Sequence, residues 1–217
     1  MKVKQALKAL VGSDRRLIAF CYAVFFLISV VWSVGLWGQE QALRMMGLLQ
    51  EQRLSASDFE LFDLAQEDGA LISQSVDPRM VMKEPPQYVY QITVYGSFVG
   101  QDPGEFCVFY KTAPDQEEFD ANYRVWAKDN SDGTFTFEMP HTKIYGLRMD
   151  PGIYTGVRLE TEKIVINAPR SLAGYLTPSL TWGLAQACVP LIAAALLKAL
   201  MQAVPVLGDV WRRLRRS

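Results

Sequence analysis

The apolar positions of this chain fall into two blocks on either side of a long stretch that alternates with period two. Leu17–Trp37 runs 21 residues without Asp, Glu, Lys, Arg, His, Asn, Gln or Pro. At about 1.5 Å per helical residue it covers roughly 30 Å, the thickness of a bilayer's hydrocarbon core, so it predicts a transmembrane helix. The second block, Leu180–Leu197, is interrupted by Gln186 and Pro190 and is rich in alanine. It predicts a weaker span, possible to extend as far as Val206, whose insertion depends on a partner helix. Small residues at matching depth, Ser29 and Ser33 in the first span and Gly183 and Ala187 in the second, offer the surfaces on which the two helices would pack as a hairpin.

Between the spans the period changes. Phe59 and Leu61, Tyr88–Tyr95, Phe106–Lys111, Asn122–Ala127, Thr134–Met139, Ile144–Met149 and Val157–Ile166 read as strands. They are separated by turn formers such as Asp102-Pro103-Gly104, Asn130-Ser131-Asp132-Gly133 and Asp150-Pro151-Gly152,. About eight short strands, with no helical interval long enough for a crossover, predict an antiparallel β-sandwich over residues 58–167. Residues 38–57 read as a helical stalk (Gln39–Arg53) ending in a hinge at 54–57, and residues 168–179 as a linker. Met1–Arg16 reads as an amphipathic helix on the membrane surface, and residues 198–217 as a basic tail.

Charge adds an orientation. The two ends hold ten basic side chains against Asp14 and Asp209, a net of +8, which leaves 12 basic and 21 acidic side chains in residues 38–179, a net of −9. Short basic flanks stay inside, so both termini are expected in the cytoplasm, beside anionic lipid headgroups, and the acidic middle outside. The first apolar run is longer than a signal-peptide core and lacks an A-x-A-like site after it, which favours a retained anchor. Of Cys21, Cys107 and Cys188 only Cys107 lies in the middle segment, so no internal disulfide can brace it, and its thiol reads as a small buried hydrophobe.

Candidate chemistry is sparse. No nucleophile constellation, metal-ligand spacing or phosphate-cradling loop is present, His141 sits at a turn, and the short basic tail is no nucleic-acid arm. The expectation is therefore no catalytic residue, no metal and no cofactor. Tyrosine is the stronger signal, since a phenol ring suits both sugar faces and wet interfaces. Strand alternation puts Arg124 and Trp126 opposite Tyr123 and Val125, and Tyr95 opposite Ile92 and Val94. Tyr95, Trp126 and Arg124 are the candidate ligand platform.

Asp58-Phe59-Glu60-Leu61, the run Leu71–Arg79, and Leu147–Gly152 followed by Gly156-Val157-Arg158-Leu159 together resemble the extracytoplasmic β-sandwich domains that accompany bacterial membrane glycosyltransferases and cell-surface polysaccharide assembly proteins. The resemblance covers residues 58–167 and implies a jelly-roll-like, carbohydrate-binding domain on a bacterial cytoplasmic membrane. It implies a non-catalytic accessory role in envelope polysaccharide or glycolipid assembly, with a glycan or a membrane glycosyltransferase as partner. The alternative is a homo-oligomeric two-span structural, signalling or channel subunit with an external sensing domain.

Overall fold

The computed structural model describes residues 13–214, with side chains as far as Ala203. Most of the predicted N-terminal amphipathic segment and the side chains of the basic tail beyond Ala203 lie outside the described residues. The chain divides into two compact units, Glu40–Pro169 and the flanking stretches up to Gln39 and from Arg170 on.

The flanking unit holds the long helix α1 (Asp14–Met45) as far as Gln39 and the long helix α3 (Leu180–Leu214), with the short α2 (Leu172–Leu176) between them in sequence. Both long helices are long and apolar enough to cross a membrane. They run antiparallel: Lys198 Nζ donates to Asp14 at 2.7 Å, Leu17, Cys21 and Ala194 form a small buried cluster, and the rings of Phe25 and Trp182 lie 6.0 Å apart. Of the small residues expected at the crossing, Ala187 takes part in a contact between the helices. Tyr22 Oη donates to the Ala187 carbonyl at 2.6 Å, Ser29 turns its hydroxyl back to the carbonyl of Phe25, and a Cβ on Gly183 would meet nothing within 4 Å. Ser29 is itself buried, and at Ala187 the two helices meet through the Tyr22 hydroxyl.

The helical stalk expected through Arg53 stops at Met45, because Gly47 takes φ +72° and closes the helix. Leu48 N donates to Leu43 O and Gly47 N to Arg44 O, the paired bonds of a Schellman cap,. Residues 52–54, expected as stalk and hinge, are instead strand β1 (Gln52–Leu54), paired with the chain's last strand through Gln52↔Ile166 and Leu54↔Ile164. Ala56–Asp58 is a 3-10 turn pinned by Ser55 N donating to the Asp58 carboxylate at 2.8 Å. That bond holds the Asp58 carboxyl below its usual range,.

The remaining strands are β2 (Phe59–Phe62), β3 (Leu64–Glu67), β4 (Ala70–Ser73), β5 (Arg79–Met82), β6 (Gln91–Val99), β7 (Cys107–Lys111), β8 (Arg124–Trp126), β9 (Lys128–Asp129), β10 (Thr134–Glu138), β11 (Gly146–Asp150) and β12 (Arg158–Ile166). They form two antiparallel sheets, one in the order β3-β4-β12-β6-β10-β9 with β1 added to β12, the other β2-β5-β11-β7-β8. The pairs β4/β12, β5/β11, β6/β10 and β7/β8 nest inside one another while alternating between sheets, the winding of a jelly roll,. Its core lies between the sheets: Ile92, Val94, Phe137, Leu159 and Ile164 from one meet Phe59, Met80, Val108, Leu147 and Met149 from the other, all nearly or fully buried. Phe98, Phe106, Phe135 and Phe137 close one part of it with edge-to-face contacts at 5.0–5.4 Å,.

At the exit of β12, Asn167 takes φ +56° with its side chain buried. Its Oδ1 accepts from Tyr90 N and its Nδ2 donates to Tyr88 O, both at 2.8 Å, while Arg44 donates to the carbonyls of Asn167 and Ala168. Arg44 is in turn paired with buried Glu40 at 2.6 Å, so the ends of this unit's chain are fastened together. His141, expected as a turn residue, is half-buried and stacks on Tyr90 with ring centroids 4.1 Å apart.

Candidate functional site

Period-two alternation decides which side chains the five-stranded sheet turns outward. In β7, Val108 enters the core and leaves Cys107 and Phe109 on the other face; in β11, Leu147 and Met149 go in and leave Arg148 and Asp150,. The register then aligns these residues across strands. Trp126, Cys107 and Asp150 make one row, and Arg124, Phe109, Arg148 and Val81 the next.

Rings and guanidinium groups alternate along this face. The Arg124 guanidinium carbon lies 4.1 Å from the Trp126 ring centroid and 5.8 Å from that of Phe109, and Arg148 approaches the same Phe109 ring at 5.0 Å. Distances inside about 6 Å are those at which cation and ring quadrupole attract. Farther along the sheet Arg79 stands 5.5 Å from Phe62.

The two central arginines are held differently. Arg148 donates Nε to Asp150 Oδ1 at 2.7 Å and Nη2 to Asp150 Oδ2 at 2.5 Å, and reaches Asp77 at 2.9 Å. Burial pushes the Asp150 carboxyl above its ordinary range, and the Arg148 bonds offset this only in part. Burial likewise disfavours charge on Arg148, but the bonds to Asp150 outweigh it and the guanidinium stays charged,. Arg124 is looser, with Glu105 at 3.7 Å. Beneath them Cys107 is 1% exposed, and burial pushes its thiol up to about 12, so it remains protonated. Trp126 stands clear at 48% exposure.

The structure therefore brings Arg124 and Trp126 together, on the face their alternation indicated. It places Tyr95 elsewhere: that ring lies on the outer face of the seven-stranded sheet, opposite Thr134 and with Lys163 Nζ 4.3 Å from its centroid. A single platform of Tyr95 and Trp126 is excluded, because the two project from opposite sides of the sandwich. Phe109 and Arg148 take the place of Tyr95. Phe109 was accessible to the same alternation argument, whereas the link from Arg148 to Asp77 spans 71 residues and has no local signal.

Chemically the face offers one exposed indole, a partly exposed guanidinium stacked on it and a carboxylate rim. Such a surface suits a flat ligand with an apolar face and hydroxyl edges. Among the described residues no group of three or more His, Cys, Asp or Glu is placed to hold a metal ion.

No family model and no curated protein matches this chain. Among solved structures the chain is similar to a low-affinity xylan-binding module, CBM86, from Roseburia intestinalis, with 10% identity over 58% of this chain and 98% of that one and a TM-score of 0.37. It is similar also to a family 29 carbohydrate-binding module, CBM29-2, with 10% identity over 60% and 99% of the chains and a TM-score of 0.39. A β-1,3-glucan-binding CBM6 from Bacillus halodurans shares 12% identity over 54% and 96%, with a TM-score of 0.35.

Proposed function

We propose that this protein is a two-span membrane protein whose sandwich holds glycan on the outer face of the five-stranded sheet, as a non-catalytic accessory to bacterial envelope-polysaccharide or glycolipid assembly. The observation that carries the binding role is the ladder Trp126–Arg124–Phe109–Arg148. One ring face of Trp126 is backed by a guanidinium and the residue remains half exposed, an arrangement that leaves an apolar plane for a sugar ring and donors for its hydroxyls,.

Membrane placement is supported by what the two long helices leave uncovered. Only 17% and 11% of their most apolar windows are buried, whereas a core helix of a soluble protein hides most of its surface,. Phe26, Leu27, Ile28, Val31 and Trp32 on α1 and Leu184, Ile192 and Leu196 on α3 are each more than half exposed. Acyl chains are the surroundings such side chains require, and the +8/−9 division of charge supports a cytoplasmic side for both basic ends,.

A ring stacked on one sugar contributes on the order of 1 kcal/mol, so single contacts are weak and a repeating polymer gains by multivalency. The test is retention of the detergent-solubilised full chain on immobilised envelope polysaccharide. Trp126→Ala and Arg124→Ala should each abolish retention and leave the melting temperature within a few degrees, since both side chains are partly exposed. Tyr95→Ala, on the opposite sheet, should leave retention unchanged. Full retention by Trp126→Ala would refute the reading, and a simultaneous change of oligomer size on the sizing column would move the assignment to the homo-oligomeric subunit.

A further inference from the structure

A concave site lies at one end of the sandwich, apart from the face of the five-stranded sheet. It is an open cleft of about 630 Å³ between the β6–β7 loop and the β9–β10 turn. That volume falls within the roughly 300–1,000 Å³ of small-molecule sites. Phe98 and Phe135 line it, half-buried, in mutual edge-to-face contact at 5.4 Å and packed against the core, so the cleft presents aromatic surface.

The walls are polar and nearly free of side-chain bulk. Gly100 and Gly133 take φ +83° and +80°, and a Cβ on either would meet nothing within 4 Å, which leaves peptide groups bare at the rim,. Asp102 and Asp129 line the two sides. Each spends one oxygen on its own turn, Asp102 Oδ1 accepting from Gly104 N and Asp129 Oδ1 from Ser131 N, both at 2.7 Å. No Lys or Arg lines the cleft, so a bound anion would face two carboxylates without a counter-charge,.

From this geometry we infer that the cleft binds a sugar ring carrying a free ammonium, a hexosamine. The apolar face of the ring covers Phe98 and Phe135, the hydroxyls meet Gln101, Ser131 and the glycine peptides, and the ammonium lies between Asp102 and Asp129. Uronic acids are rejected by the same two carboxylates. The domain would then hold sugar at two places, the flat face and the cleft.

The experiment is saturation-transfer NMR on the full chain in nanodiscs, with D-glucosamine, N-acetyl-D-glucosamine and D-glucuronate as probes. Glucosamine should give the strongest transfer and glucuronate none. Asp102→Asn combined with Asp129→Asn keeps each turn's acceptor oxygen and removes both charges, so the fold should persist. Glucosamine affinity should then fall about threefold to tenfold, the range of two solvent-accessible charge contacts, to that of the N-acetyl sugar. Gln101→Arg, on the exposed loop, should weaken glucosamine by a similar factor. Equal transfer to the amine and the N-acetyl sugar in the unaltered protein, or indifference of glucosamine to the double Asn variant, would overturn the assignment. Trp126→Ala separates the two sites: glucosamine transfer should survive it, and its loss there would put the amino sugar on the sheet face instead.

Discussion

Cys107 stands at a position that strand alternation turns outward, yet it is closed off. Its cross-strand neighbours are Trp126 on one side and Asp150 on the other, and it is 1% exposed. With the folded-state pKa raised from 9.0 to about 12, chiefly by burial, the folded protein keeps a proton that the unfolded chain gives up. The thiol's contribution to stability is therefore complete below pH 9 and is lost as pH rises from there toward 12. In that window the limiting slope is about 1.4 kcal/mol per pH unit. Tyr110, also raised by burial and by its neighbour Tyr123, adds to the same trend. Denaturant unfolding between pH 8 and 10.5 should accordingly show a steeper alkaline loss for the native chain than for Cys107→Ala. Parallel curves would mean that the thiol is not desolvated in solution.

At the scale of single elements, β6 and β12 carry the longest pairing in the molecule and a flaw in it. Their register shifts between Thr161 and Lys163, opposite Gly96. A Cβ on Gly96 would lie 2.1 Å from the Glu160 carbonyl oxygen, so only glycine admits the close approach that the bulge requires,. Gly96→Ala should lower stability by about 1–3 kcal/mol, the usual cost of overpacking, visible as a drop in melting temperature with circular dichroism of the same shape. An unaltered melting temperature would show that the bulge can relax. Much at this scale was legible in advance. The strands from Phe106 to Ile166 follow from alternation, and Arg148 and Asp150 share a face for the same reason. The hairpin β3–β4, absent from the strands expected above, carries a local signature: Asp68-Gly69, with φ +50° and +79°, is the Asp-Gly pair of a type I′ turn,. β1 could not be read locally, because three residues acquire strand character only by pairing with β12 more than a hundred positions later. The site was half legible for a related reason: alternation gives the face of each side chain, but which sheet a strand joins depends on the winding. Alternation turns Tyr95 and Trp126 outward, and the winding puts them on different sheets.

For the molecule as a whole, the charge division makes topology the property most open to test. In a chain with Cys21, Cys107 and Cys188 replaced, Val76→Cys, at a site 68% exposed on the sandwich, should react with an impermeant maleimide in intact cells, whereas Ser217→Cys should react only after lysis. Labelling of Ser217→Cys in sealed cells would contradict the two-span arrangement. The nested pairing of the sandwich has a mechanical corollary. Because β1 and the end of β12 lie side by side, with Gln52 opposite Ile166, the polypeptide enters and leaves this unit at the same end,. A force drawing those two points apart does not load the β1–β12 hydrogen bonds together, as shear along a strand would. It loads them one at a time, beginning beside the contacts of Arg44 with Asn167 and Ala168. Tension on the two ends thus opens the unit by unzipping from the end where its chain enters and leaves.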